Sequence, residues 1–363
     1  MKHIDINKIR KGFFKKSLSV GHHNIKYTWV QVMTMILNCI CGRESFENGA
    51  KSPSAQTLRD RLQLDGKWLE YFHEQMWGLA QYIVKRFSRM KWYISIDEKY
   101  QPFFGDREKL NKRLRKEGKG EFVHGYRAKT PGATGSFCFL VISLSCCKFR
   151  LPLFVKMMKN KESYKKWTEE KLRRILRLVP QAIVLADRGF GKRAWFFALL
   201  EKLNAKYDVR IPLKKKESKN KVKSGVKYYQ QWFGKGKNKV LLNVDVIKDE
   251  YNRLYLLANN LQDKTPLQIL SIYRKRWDIE NLFKDSDRVG LPTSSTNPDM
   301  RLFSFVLSLI LFALWQIERV TEKLKNSLRG FVKECVQLLS QSLSFIINSI
   351  GEIIKNVILP NPP

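Results

Sequence analysis

Three observations frame this chain, and the first of them predicts an α/β fold with a mixed sheet flanked by helices. Short apolar runs alternate with helix-periodic segments through the middle of its 363 residues. Carboxylates stand at the tips of the apolar runs. Basic residues are spread over the whole length, with 68 Lys+Arg against 33 Asp+Glu and a formal net charge of +35.

The elements follow in order. KWYISIDEKY (91–100) has a strand pattern. SFCFLVISLSCCKFRLPLFVKMM (136–158) reads as two apolar strands around a turn near Cys146 to Lys148. Glu162 to Leu178 has the periodicity of an amphipathic helix. AIVLADRGF (182–190) is a short buried strand with a polar tip, Lys192 to Lys202 a helix, and YDVRIPL (207–213) another strand. From Lys214 to Asn259 the pattern changes to VKYYQQWF, KVLLNVDVI and RLYLLAN, separated by Gly-Lys turns, as expected of an all-β insertion. A helix is expected from Pro266 to about Arg288.

The flanks read as helical. Residues 1–88 include an apolar segment from Thr28 to Cys41. SPSAQTLRDRLQL then offers Ser52 or Ser54 as an N-cap for a short helix exposing Gln56, Arg59 and Arg61. That helix suits DNA recognition as well as it suits an ordinary surface. Leu302 to Trp315 is apolar over 14 residues, short of the roughly 20 that span a bilayer, so a buried core helix is expected there. Apolar residues from Val332 to Val357 recur at steps of three and four, an amphipathic helix.

Composition narrows the function classes. An apolar share of 44% supports a sizeable core. Six cysteines without a C-x-x-C pair argue against a disulfide scaffold or a zinc site, and the five histidines show no zinc spacing. No apolar segment follows the charged first residues, so no signal peptide is expected. A cytoplasmic, nucleoid-associated protein with no membrane partner is the expectation. The charge then calls for nucleic acid. It is concentrated in three blocks: nine Lys/Arg and three acids over 107–129, nine and three over 156–177, twelve and two over 205–240. The absence of G-x-x-x-x-G-K-[ST] and G-x-G-x-x-G disfavours an NTP-driven enzyme.

Three acids carry the chemistry. Asp97 closes Tyr93-Ile94-Ser95-Ile96, and Asp187 closes Ile183-Val184-Leu185-Ala186. Each alone fits a turn or cap residue. The third is Glu280, in TPLQILSIYRKRWDIENLFKDSDR. On one continuous helix Tyr273, Arg276, Trp277, Glu280 and Lys284 share a face, and Arg276–Glu280 makes an i,i+4 ion pair. Together, two strand ends and a helix can bring three carboxylates onto two Mg²⁺ ions about 3.5–4 Å apart, the arrangement for in-line attack on a phosphodiester.

ISIDEKYQPFFG, VLADRGF and YRKRWDIE resemble the corresponding motifs of the prokaryotic insertion-sequence transposases of the DDE class. That class carries a Tyr-x2-Arg-x3-Glu signature on a ribonuclease H-like core. The resemblance covers roughly residues 90 to 325. The spacings agree, at 90 residues from Asp97 to Asp187 and 93 from Asp187 to Glu280. It implies a helical DNA-binding domain over 1–88, the ribonuclease H-like core over 89–213 and a β-rich insertion over 214–262. The core would be completed over 263–325, with a C-terminal helix over 326–363. By resemblance Asp97, Asp187 and Glu280 are the catalytic metal ligands, with Mg²⁺ as cofactor and Mn²⁺ as substitute. Tyr273 and Arg276 would hold the DNA backbone, and Arg188 either does likewise or forms a structural salt bridge. The class carries a Lys seven residues after the Glu, where this chain has Asp287. Lys284 or Arg288 would supply that phosphate contact. Trp232, beside Phe233 between lysine runs, is either a core residue of the β insertion or the platform for a flipped base. The implied partners are double-stranded DNA, as terminal inverted repeats and target, and a second copy of the chain. Two rivals stay open: a catalytically dead DNA-binding descendant, and a nuclease that cuts without joining.

Overall fold

A computed structural model describes residues 29–43, 67–125, 130–213, 225–321 and 327–337. The expected recognition helix with Gln56, Arg59 and Arg61, and the C-terminal helix beyond 337, lie outside the described residues. By their internal contacts the residues fall into two units, Met76–Phe283 and the segments on either side.

The Met76–Phe283 unit is built on one mixed sheet of nine strands. They are β1 (Tyr93–Phe103), β2 (Val123–Gly125), β3 (Gly135–Ser145), β4 (Arg150–Met157), β5 (Ile183–Ala186), β6 (Lys206–Arg210), β7 (Tyr228–Phe233), β8 (Val240–Lys248) and β9 (Leu254–Asn259). Their order is β2-β3-β1-β5-β6-β9-β8-β7, with β4 also on β3. Strand β3 runs antiparallel to β1 over eleven residues, and β2 and β4 divide its other edge. Every residue of β3 is buried, in keeping with its apolar run from Phe137 to Ile142. Strands β1, β5 and β6 are parallel neighbours. β5 spans four residues, three of them buried, as a central parallel strand should be.

Strands β7 to β9 do not form a sheet of their own. β9 pairs antiparallel with β6, so the three strands expected as an insertion extend the main sheet. Pairing with β9 satisfies backbone groups along β6 that an open edge would expose.

Helices follow with small shifts from expectation. The helix beginning near Glu162 starts at Lys165 (α4, Lys165–Leu178), and the one beginning near Lys192 starts at Ala194 (α5, Ala194–Lys202). α3 (Arg107–Lys116), which the charge pattern concealed, is capped by Asp106, whose carboxylate accepts the Lys109 amide at 2.8 Å. From α3, Asn111 bonds both backbone groups of Val123 and pins β2 to the sheet. α4 packs its Arg174 guanidinium 4.4 Å from the Trp77 ring, which stacks on Phe154 of β4. α5 sets Phe197 against Tyr207 of β6 and Phe233 of β7. Burying each such ring contributes about 2–3 kcal/mol, so these contacts hold both ends of the sheet.

The expected helix from Pro266 is two helices, α6 (Pro266–Arg274) and α7 (Trp277–Ser286). At Lys275 and Arg276 the backbone tightens to i→i+3 bonds: Lys275 to Ile272, Arg276 to Tyr273, Asp278 to Lys275 and Ile279 to Arg276. Thr265 and Gln268 form a capping box at the start of α6, and Pro266 takes the first turn.

In the other unit, α1 (Trp29–Gly42) and the front of α2 (Lys67–Arg86) bury Ile36, Leu37, Ile40 and Phe72. α8 (Pro298–Thr321) contains a span from Pro298 to Ile317 long and apolar enough to cross a membrane, of which 89% is buried inside the protein. That is the core placement expected for it. Its serines are satisfied locally, Ser304 by the Leu291 carbonyl at 2.6 Å and Ser308 by that of Phe305 at 2.7 Å. Residues 328–337 form a further helix, with Phe331, Val332 and Cys335 buried. The six cysteines are free thiols.

Candidate active site

The parallel register of β1 and β5 places the first two carboxylates. Ile96 lies opposite Ala186, and the next residues are Asp97 and Asp187. The site is therefore where β5 stops at a strand end, as in other open α/β sheets. β1 itself continues to Phe103, because its pairing with β3 runs on to Gly135. Asp97 is thus mid-strand, not terminal as expected.

Each aspartate is held by backbone. The Glu98 amide donates to Asp97 Oδ1 at 2.8 Å. The amides of Gly189 and Phe190 donate to Asp187 Oδ1 at 2.7 and 3.3 Å, and the Gly191 amide to the Asp187 carbonyl at 3.0 Å. Gly191 admits no side chain, since a Cβ there would lie 2.0 Å from the Arg210 carbonyl oxygen. The turn after Asp187 is therefore pressed against β6.

Glu280 enters from α7 and is joined to Asp97 through Arg276. Arg276 Nη2 lies 2.6 Å from Glu280 Oε1, and Nη1 lies 3.6 Å from Asp97 Oδ2. The Arg276 side chain is 9% exposed, against 52% for Glu280. The tight turn at 275–276 turns Arg276 inward to reach both. Burial first, then Asp187 and Glu280, push the Asp97 carboxyl up to about 7, with Arg276 and the Glu98 amide working against the rise. Asp97 therefore feels both other carboxylates. Among the described residues, no three His, Cys, Asp or Glu side chains are grouped closely enough to hold a metal ion as they stand. The Glu280 carboxylate is turned onto Arg276, which links it to Asp97.

Other expected residues fall differently. Tyr273 is 3% exposed and packs with Ile247, Tyr255, Leu257, Ile269 and Leu270. Its ring belongs to the apolar face that α6 lays on the sheet. It also flanks Arg276, whose guanidinium is 5.7 Å from the ring centroid. Arg188 is exposed. Lys284 and Arg288, both exposed, lie in the other unit, where Arg288 sits 3.8 Å from Asp285. On β7 the strand alternation separates the two readings of the aromatic pair. Phe233 turns inward to Phe197, while Trp232 is 58% exposed with Lys239 Nζ 4.6 Å from its ring. Leu241, opposite it on β8, and Tyr228, four residues earlier on the same face of β7, are also exposed.

The geometry has a counterpart among known proteins. Residues 98–311, beginning one position after Asp97, match the family described as transposase DDE domain. The chain belongs to that family. Among solved structures it is similar to the piggyBac transposase, in a synaptic complex with hairpin DNA. The TM-score is 0.61 at 12% identity, over 99% of this chain and 82% of that one. A likeness at that identity speaks for the fold alone. A second similarity, to the Mos1 transposase in a paired-end complex, has a TM-score of 0.19 at 15% identity, over 53% of this chain and 60% of that one. No curated protein matches this DDE-domain chain.

Sequence reasoning passed over Glu98, Tyr100, Tyr164 and Arg193, which form one network behind the site. A signal for it was present in the acid pair Asp97-Glu98, since strand neighbours face opposite ways and a second acid there needs its own partner.

Proposed function

We propose that this chain is a DNA transposase of prokaryotic insertion-sequence type. It would bind the terminal inverted repeats of its element, cut them by Mg²⁺-dependent hydrolysis and join the freed 3′-hydroxyls to target DNA. The observation that carries this reading is the placement of Asp97 and Asp187 on neighbouring parallel strands, with the buried Arg276 joining Asp97 to Glu280. The strand order, with antiparallel β4 and β3 beside parallel β1, β5 and β6, supports a ribonuclease H-like core.

The donor set suits a hard divalent ion. All three groups offer carboxylate oxygens, which Mg²⁺ and Mn²⁺ prefer over nitrogen or sulfur. Asp97 is 16% exposed and lies beside two like charges with one guanidinium against them, so added positive charge is favoured there. Asp97, Asp187 and Glu280 would hold the ions, whose bound form activates water or a 3′-hydroxyl and steadies the leaving oxygen. The chain itself orients Asp97 and Asp187 by amide hydrogen bonds. Arg276, once Glu280 turns to a ligand role, has a planar fork free for a DNA phosphate. Arg188, Lys284 and Arg288 add phosphate contacts. Trp232 and Tyr228 present exposed aromatic faces on which an unstacked base could lie. The protein works as a homodimer on paired ends, in the cytoplasm at the nucleoid.

The test is a labelled duplex carrying one inverted repeat, incubated with and without Mg²⁺. The expected result is an end nick that appears with Mg²⁺, vanishes with chelator, and yields joined products when target DNA is added. Asp287 at the position where Lys is usual favours one rival, a descendant that binds DNA without cutting. Retarded but uncut DNA would support that rival. Cutting without joined product would point to a nuclease.

A further inference from the structure

Glu98 follows Asp97 on β1 and faces the other side of the sheet. Its side chain is 17% exposed and has three partners. The Tyr100 hydroxyl donates to Oε2. The Tyr164 hydroxyl donates to Oε1 at 3.0 Å, and Arg193 Nη2 to the same oxygen at 2.9 Å. Arg193 is itself wedged between aromatic rings, 5.1 Å from the Tyr164 centroid and 4.9 Å from that of Phe190. Two aromatic faces and a shielded carboxylate fix a guanidinium far better than an exposed ion pair does.

What this network joins gives it meaning. At one end, the Glu98 amide grips Asp97 Oδ1. At the other, Arg193 closes the 3₁₀ turn Phe190–Lys192, donating its amide to the Phe190 carbonyl at 2.8 Å. The same turn supplies the Gly189 and Phe190 amides to Asp187 Oδ1. The Glu98–Arg193 pair therefore straps together the two backbone segments whose amides aim Asp97 and Asp187. Beyond Ala186 the ladder between β1 and β5 ends, so no strand pairing ties the segments there.

We propose that Glu98 and Arg193, supported by Tyr100 and Tyr164, are positioning residues that set the spacing of Asp97 and Asp187 for a shared divalent ion. This rests on the reading of those aspartates as metal ligands. The strap touches neither ion nor DNA. It acts as outer-shell groups act, by lowering the cost of gathering the ligands, and loss of such groups weakens metal binding or activity roughly 10–100-fold.

The test compares wild type, Glu98→Gln, Arg193→Met, the double variant, Tyr164→Phe and Asp97→Asn. Mn²⁺ binding is read without DNA from the paramagnetic resonance of free Mn²⁺, and cleavage is titrated against Mg²⁺. Glu98→Gln and Arg193→Met are each expected to weaken Mn²⁺ binding about tenfold and to shift the Mg²⁺ midpoint for cleavage equally. Cleavage at saturating Mg²⁺ should recover to within about twofold, and the double variant should be no worse than the worse single one. Tyr164→Phe removes one hydrogen bond and is expected to shift binding in the same direction by a smaller factor, which keeps the test decisive if a charge variant does not fold. Wild-type Mn²⁺ affinity in the folded strap variants, with binding lost in Asp97→Asn, would overturn the strap and leave the metal site standing. Wild-type protein that binds no Mn²⁺ would overturn both.

Discussion

Asp97→Asn is expected to reduce Mg²⁺-dependent end cleavage on the order of 10⁴-fold, with DNA binding unchanged. The substitution keeps the side chain's shape and removes one negative oxygen. Asp97 is 16% exposed and crowded by Asp187 and Glu280, so its charge is costly in the free protein and useful only once an ion shares it. The neutral amide is therefore expected to leave the thermal midpoint at neutral pH equal to or above that of wild type. Gel retardation, a cleavage time course and thermal unfolding on one preparation check the three parts together. Cleavage near the wild-type rate would remove Asp97 from the mechanism. A fall in both binding and midpoint would mean that the loss reflects misfolding.

The second large effect is expected at Arg276. Its guanidinium is the cation that the structure places against both Asp97 and Glu280. The Glu280 contact is shorter, but Glu280 is half exposed and water can replace the arginine there. The Asp97 contact is longer yet shielded, and it decides the outcome. Arg276→Ala leaves the largely shielded Asp97 carboxylate facing two others, a loss of about 3 kcal/mol. That corresponds to a midpoint lower by on the order of 10 °C for a domain of this size. Mg²⁺ should then raise the midpoint of Arg276→Ala more than that of wild type, because the ion would replace the missing charge. Cleavage should stay at least about 100-fold low even with saturating Mg²⁺, since the phosphate contact proposed for Arg276 would be gone. An equal Mg²⁺ effect on both proteins would show that the ion binds away from Arg276.

Much of this was legible in the residues. Apart from the three-residue β2, the strands from Tyr93 to Asn259 announced themselves by apolar runs and turn residues. Asp97 and Asp187 were recognisable because a carboxylate at the tip of an apolar run has no cheap place to go. What stayed hidden depended on contacts between distant segments. The periodicity of Pro266 to Arg288 continues through Lys275 and Arg276, so nothing local marked the tight turn that sends Arg276 inward and Tyr273 into the core. The joining of β9 to β6 was hidden because strand patterns do not name their partners. Trp232 and Phe233 were indistinguishable by type, and only the register of β7 on β8 shows which one turns outward. Helix α3 was masked by its charge, although Asp106 ahead of it was a legible cap.

The most direct measurement is the anomalous scattering of Mn²⁺ in crystals of the protein bound to an inverted-repeat duplex. Two peaks are expected about 3.5–4 Å apart, touched by oxygens of Asp97, Asp187 and Glu280, with Arg276 released from Glu280. The contrary result is DNA in place with no Mn²⁺ peak at these carboxylates and Arg276 still bridging Asp97 to Glu280.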